Sequence, residues 1–131
     1  MTNKRYIIYS QGTGEILRRV SCFEGNIEFQ IGKGEAYLEG DVDDLRYYVN
    51  LASLRIEEKG EFIGVGNRYV RIGEDAIFTQ LPEDTRIRVE LLSYSGHGTF
   101  RVSFQEEGIY SVVFYAASKL KKEIKIEVRG V

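Results

Sequence analysis

The stretch Gly108–Ala117, GIYSVVFYAA, constrains this chain more than any other. Six of its ten residues are β-branched or aromatic, the types that fit a pleated, half-buried surface. Side chains alternate faces along a strand. Tyr110, Val112 and Phe114 therefore share one face, and Ile109, Val113 and Tyr115 the other. Both faces carry large apolar groups, which predicts a central strand covered on both sides. Glu106-Glu107-Gly108 precedes it as a turn signal.

The remaining segments predict more strands, each bounded by turn residues. Tyr6–Tyr9 and Glu15–Cys22 flank Ser10-Gln11-Gly12-Thr13-Gly14 and read as a hairpin. Ile27–Ile31 sets Ile27, Phe29 and Ile31 against Glu28 and Gln30, the alternation of a one-sided strand. Ala36–Glu39 and Leu45–Leu51 read as strands, with a helical turn at Asp43–Tyr48 as the alternative. Ala52–Glu58 fits a helix or a strand. Phe62–Val65 and Arg68–Ile72 read as short strands around Gly66-Asn67, a tight-turn signal. Gly73–Leu81 reads as a connector.

Beyond it the pattern sharpens. Arg86–Leu92 puts Ile87, Val89 and Leu91 on one face. Ser93–Gly98 reads as a loop, and Thr99–Gln105 turns Phe100, Val102 and Phe104 inward. Ser118–Lys122 is a turn or strand edge. Glu123–Arg129 alternates Ile124, Ile126 and Val128 against charged residues. Four strands at roughly ten-residue spacing indicate a small β-sandwich or a sandwich half. The predicted fold is all-β: an N-terminal β-module at 1–55, connecting strands or loop at 56–80, and a sandwich module at 81–131.

Composition narrows the function classes. With 131 residues the chain is one domain or two very small ones, and about two-thirds of its unfolded surface can be buried. A net charge of −2 gives no electrostatic argument for nucleic acid or an anionic membrane. No apolar run approaches the ~20 residues of a membrane helix. The apolar run after the basic start, Tyr6–Tyr9, is too short for a secretory signal, so synthesis in a cytoplasm is expected. Cys22 is the single cysteine and excludes an intrachain disulfide. Its strand face is expected to hold Ile16 and Val20, which reads as a buried thiol.

No motif supplies chemistry. Gly32-Lys33-Gly34 resembles the end of a phosphate-binding loop, but Ile27 stands where its first glycine belongs and Gly34 where its hydroxyl belongs. The pairs Gly12/Gly14 and Gly64/Gly66 lack the third glycine of a dinucleotide fingerprint. His97 is the only histidine, so neither a multi-histidine metal site nor a triad can be assembled from sequence. Glu39, Asp41, Asp43 and Asp44 cluster without the spacing of a calcium loop, and read as a turn whose carboxylates bond to nearby backbone N–H groups. Neither a cofactor nor a metal is expected. The nine tyrosines fit buried strand positions, or a protein interface, where aromatic residues are enriched. The candidate contacts are Tyr9, Gln11, Thr13, Asp41, Asp43, Tyr47 and Tyr48 in the N-terminal half and Tyr94 and His97 in the C-terminal half.

Four segments carry a resemblance: YSQGTGEILRRV at Tyr9–Val20, GEAYLEGDVDDLRYYVNL at Gly34–Leu51, LPEDTRIRVE at Leu81–Glu90 and EEGIYSVVFYA at Glu106–Ala116. With these the chain resembles a family of small proteins from tailed-phage and prophage structural clusters, encoded near tail-fibre genes, with an immunoglobulin-like second half. Glu107 stands where that pattern usually has proline, and the likeness is weak over 52–80. The resemblance implies a virion structural protein without enzymatic activity, made in the bacterial cytoplasm. The resemblance does not say which partner is bound; the expected partners are other virion proteins of the tail, adaptor or fibre, met as a homo-oligomer or on a symmetric partner, with no nucleic acid and no membrane. A carbohydrate-binding sandwich for host recognition and a tail assembly chaperone are the alternative readings.

Overall fold

The computed structural model describes residues 2–130. It is all-β, with 57% strand and 5% helix. The chain divides into two compact units, Met1–Gly60 and Glu61–Val131. The boundary falls inside the predicted connector. Its first part belongs to the N-terminal unit and its second part builds strands of the C-terminal unit.

In the first unit, β1 (Asn3–Ser10) pairs antiparallel with β2 (Ile16–Phe23) on one edge and β3 (Glu35–Glu39) on the other. The predicted hairpin is there. A second hairpin joins β4 (Tyr47–Asn50) to β5 (Arg55–Glu58). This settles Ala52–Glu58 as a turn followed by a strand, and Asp44–Arg46 as a turn leading into β4.

Ile27–Ile31 is not a strand. Glu24–Gln30 is a 3-10 helix in which Ile27 is buried and Phe29 is 85% exposed. The reason is topological. β2 and β3 lie on opposite sides of β1, so the link between them must pass over a face of the sheet. There Ile27 meets Tyr6 and Ile8, with Val20, Cys22 and Tyr37 around them. The opposite face, Ile7, Tyr9 and Ile16, packs with Val49. β1 is thus buried on both faces, and Tyr6 to Tyr9 are all core residues.

A bulge in β2 corrects the expected company of Cys22. Ile8 opposes Arg18 and Tyr9 opposes Ile16, which leaves Leu17 as the extra residue. The parity of β2 flips there. Val20 and Cys22 lie on the Tyr6 face and Ile16 on the Ile7 face. Cys22 is half-buried.

Arg18 and Glu35 hold the 3-10 segment in place. Arg18 donates from both terminal nitrogens to the Glu35 carboxylate, at 2.9 and 2.7 Å, and to the Gln30 carbonyl at 2.6 Å. The Gly32 N–H donates to Glu35 Oε1 at 2.7 Å. The Arg18 and Gly32 hydrogen bonds bring the Glu35 carboxyl down to about 2. Gly14 closes the β1–β2 turn at φ +84°, and a Cβ there would lie 2.0 Å from the Val49 carbonyl oxygen. That contact demands glycine.

The second unit is a two-sheet sandwich. β6 (Arg68–Arg71), β12 (Lys119–Arg129), β11 (Gly108–Ala116), β8 (Arg86–Val89) and β9 (Leu92–Ser95) form one sheet in that spatial order. β7 (Ala76–Leu81) and β10 (Gly98–Val102) form the other. β11 is the central strand, bonded to β12 and β8. The pairings β9-β8-β11-β12 and β7-β10 follow the order C′-C-F-G and B-E of immunoglobulin-type sandwiches. Tyr110, near the start of β11, donates its hydroxyl to the Glu106 carbonyl at 2.9 Å, as the corner tyrosine of such sandwiches does. The core runs from Phe78 and Phe100 of the small sheet to Ile87, Val112, Phe114, Ile124 and Ile126 of the large one. Phe78 meets Phe114 at 5.0 Å between ring centres.

Six expectations differ from the structure of this unit. Gly73–Leu81 is not a connector, because its last six residues are β7. Its alternation is hidden by a bulge: Phe78 opposes Phe100 and Leu81 opposes Gly98, with Gln80 at φ +58° taking up the extra residue. Phe62–Val65 is not a strand, although Phe62 and Val65 are core residues, and no hairpin forms at Gly66-Asn67 because β6 runs parallel to β12 instead. Ser93–Gly98 is not a loop throughout, because Leu92–Ser95 is β9. Leu91 does not point inward but is 95% exposed, since β8 ends at Val89 and Glu90-Leu91 form a two-residue turn to β9. Cover on both faces of β11 fails at Ile109, which is exposed, while Val113 on the same face is buried.

Two outcomes test these interior contacts. Phe114→Ala is expected to cost ~3–5 kcal/mol, read as a lower urea midpoint. Glu35 has its carboxyl depressed from 4.5 to about 2. Its ionised form therefore contributes stability above the unfolded value, and that contribution is lost as pH falls through the folded one. The difference in melting temperature between wild type and Glu35→Gln should shrink as pH drops from about 4.5 to about 2; a constant gap contradicts the assignment.

Candidate functional site

The nine sequence-selected contact residues are divided between the units, seven in the N-terminal one and two in the C-terminal one. In the N-terminal unit Tyr9 is 5% exposed and belongs to the core, so it is withdrawn as a surface contact. Tyr47 packs partly against the same core. Gln11 and Thr13 lie in the β1–β2 turn. The Gln11 N–H donates to the Gly34 carbonyl, and Thr13 Oγ1 accepts from the Glu15 N–H at 3.2 Å.

The acidic residues have local partners. Asp43 Oδ1 accepts from the N–H groups of Leu45 and Arg46, at 3.0 and 2.8 Å, the turn role expected for this cluster. Asp41 instead faces cations: Arg5 bonds one oxygen, and Arg19 lies 3.5 Å from the other. Among the described residues no three His, Cys, Asp or Glu side chains are grouped to hold a metal ion.

Tyr48 sits opposite Glu57 across the β4–β5 ladder. Its hydroxyl donates to Glu57 Oε1 at 3.3 Å, and Asn50 Nδ2 donates to both oxygens of that carboxylate. Burial, and then the neighbouring Glu57, push the Tyr48 phenol upward. This cross-strand cluster is structural in its bonding, because each polar atom is matched within the hairpin.

In the C-terminal unit Tyr94 lies on β9, with its ring 5.6 Å from that of Phe100. His97 is exposed in the link from β9 to β10, and its carbonyl accepts from the Thr99 N–H at 2.9 Å. No hydrogen bond joins the Ser95 hydroxyl to His97 among the described residues. A shallow open depression lies between Glu107–Ile109 and Glu127–Arg129. Its carboxylates are engaged, Glu107 by the Gly130 N–H at 2.6 Å and Glu127 by Arg129 at 3.3 Å.

Large apolar side chains stand in solvent on both units. Phe29 and Leu45 do so in the N-terminal unit. In the C-terminal unit Leu91, Leu92 and Tyr94 are consecutive or alternate along one turn and one edge strand. Sequence reasoning singled out Tyr94 and missed Leu91 and Leu92. The missing signal is the turn itself. Val89-Glu90-Leu91-Leu92 carries no Gly, Asn or Asp, so nothing marks a two-residue hairpin; the structure makes it with Glu90 at φ +53°. The Glu90 N–H donates to the Ser111 carbonyl, and its carboxylate accepts from the Ser111 N–H at 2.7 Å.

No protein-family model, curated protein or solved structure matches the chain.

The bonding of Asp41 and Asp43 leads to a direct expectation. Millimolar Ca²⁺ should leave the melting temperature unchanged, and Asn at Asp41, Asp43 and Asp44 should not create or remove a calcium effect. A rise of several degrees with Ca²⁺ contradicts this, since a bound ion stabilises the folded state by mass action.

Proposed function

We propose that this chain is a non-enzymatic docking protein of a tailed-phage particle, a tail-associated or fibre-attachment component whose second module is immunoglobulin-like. The observation that carries the docking part is the exposed apolar run Leu91, Leu92 and Tyr94, held on the rim of a packed sandwich. Apolar groups fixed in solvent by a rigid sheet suit recognition of another protein surface. The phage assignment is supported by the sequence resemblance at Tyr9–Val20, Gly34–Leu51, Leu81–Glu90 and Glu106–Ala116. The partners in this reading are other virion proteins, met on a symmetric assembly that reuses one patch.

Mass spectrometry and density maps of purified virions test it. The chain is expected in finished particles. Abundance in infected cells with absence from particles overturns the structural role in favour of an assembly chaperone. Binding on a glycan array, lost with the exposed tyrosines, favours the carbohydrate-binding alternative.

A further inference from the structure

β9 is one of the two edges of the large sheet, bonded to β8 on one side only. It is short, four residues, but carries no proline, no charge and no bulge to close it to another strand. The direction of its backbone groups follows from the bonds around it. The Glu90 N–H reaches Ser111 on β11, and the Gly96 N–H reaches Thr85 on the β8 side. Because direction alternates along a strand, Leu92 and Tyr94 bond to β8. The N–H and C=O groups of Ser93 and Ser95 face outward.

The side chains divide just as sharply. Leu92 and Tyr94 share a face with Val89 and Ile87, both core residues. The apolar layer thus continues past the core to the edge, where Leu92 is 63% and Tyr94 40% exposed. On the other face Ser93 lies opposite Arg88, and Ser95 opposite Arg86. Arg88 is exposed and has no carboxylate partner among the described residues. The nearby carboxylates are turned elsewhere: Glu90 to the Ser111 N–H, Glu123 to the Ser111 hydroxyl at 2.8 Å. A strand added at β9 lies about 4.8 Å beyond it. Serine is too small to screen such a strand from the arginine behind it.

We propose that β9 receives an extended segment of a partner protein by strand addition, and that this segment alternates apolar residues with Asp or Glu. Its apolar side chains extend the layer of Leu92 and Tyr94. Its carboxylates fall on the arginine face. Main-chain bonds to Ser93 and Ser95 supply the pairing, and the alternation supplies the selectivity. This rests on the docking reading above and names the chemistry of its partner. Charge complementarity selects a partner over a second copy of this chain: two β9 strands paired edge to edge bring Arg88 of each copy to the same face with no carboxylate between them.

The test uses the full chain, labelled with ¹⁵N, and two acetylated heptapeptides, Thr-Val-Glu-Val-Glu-Val-Thr and its lysine counterpart. The acidic peptide is expected to shift the amides of Leu92–Ser95 and to protect those of Ser93 and Ser95 from exchange, and the basic peptide to do neither. Arg88→Glu should reverse the preference. Ser93→Pro should abolish binding while keeping the melting temperature, because the N–H it removes faces solvent and edge positions accept proline. Shifts centred elsewhere, equal binding of both peptides, or no binding of the acidic one overturn the proposal. So does Ser93→Pro that folds and still binds. If that variant does not fold, the Arg88→Glu comparison decides alone. The virion experiment is read separately: a chain found in particles that ignores the acidic peptide keeps the docking role and loses this edge as its means.

Discussion

Phe114 has no exposed surface and meets aromatic rings from two directions, Phe78 at 5.0 Å and Phe62 at 5.7 Å. Phe78 belongs to the opposing sheet, so this contact fastens the two layers of the C-terminal sandwich. Around it β11 is bonded on both sides, to β12 and β8, and β6 and β9 are added at the outer sides of that trio. Tyr110 fixes where β11 begins, through its bond to Glu106 and through stacking at 4.1 Å on Phe104. A strand anchored by its ends and its middle has little freedom of register, since a one-residue slip exchanges its buried and exposed faces.

The N-terminal unit meets a different constraint with the same means. β1 fills the middle of a three-stranded sheet, so the chain must cross over it to reach the far edge. The 3-10 helix is that crossing, and Ile27 is its contribution to the interior. Arg18 and Glu35, one from each outer strand, hold the crossing's exit with a bidentate bond. On the other face the Val49 N–H donates to the Gly14 carbonyl at 2.8 Å. A turn with no room for a Cβ thereby meets the second hairpin.

Function in this reading lies where the sandwich ends rather than in a cleft. Two of the polar clusters, Asp43 at its turn and Glu57 in its hairpin, are matched locally. Unmatched capacity is found at β9, where outward backbone groups run between an apolar face, Leu92 and Tyr94, and an opposite face on which Arg88 has no carboxylate partner among the described residues. The feature that makes an edge hazardous, its readiness to accept another strand, is what a docking protein uses.

The sequence by itself determined the strands written in continuous or alternating apolar, β-branched and aromatic residues. β1, β11 and β12 were legible because Tyr6–Tyr9, GIYSVVFYAA and Ile124, Ile126 and Val128 carry the period and residue types of a strand whatever surrounds them. The role of Asp43 was legible because an Asx turn is a local bond. Tertiary structure decided the rest. Ile27, Phe29 and Ile31 alternate as a strand does, yet both edges of β1 were already occupied, so the segment crosses the sheet as a helix. Bulges at Leu17 and near Gln80 shifted the parity of β2 and β7, and a parity shift depends on the partner strand rather than on local residue type. Glu90-Leu91 turns without glycine because bonds to Ser111, 21 residues further on, hold a backbone conformation that its own sequence disfavours. The open edge at β9 exists only because of that turn. Local preference writes the strands, and the choice of which edge remains free belongs to contacts between residues far apart in the chain.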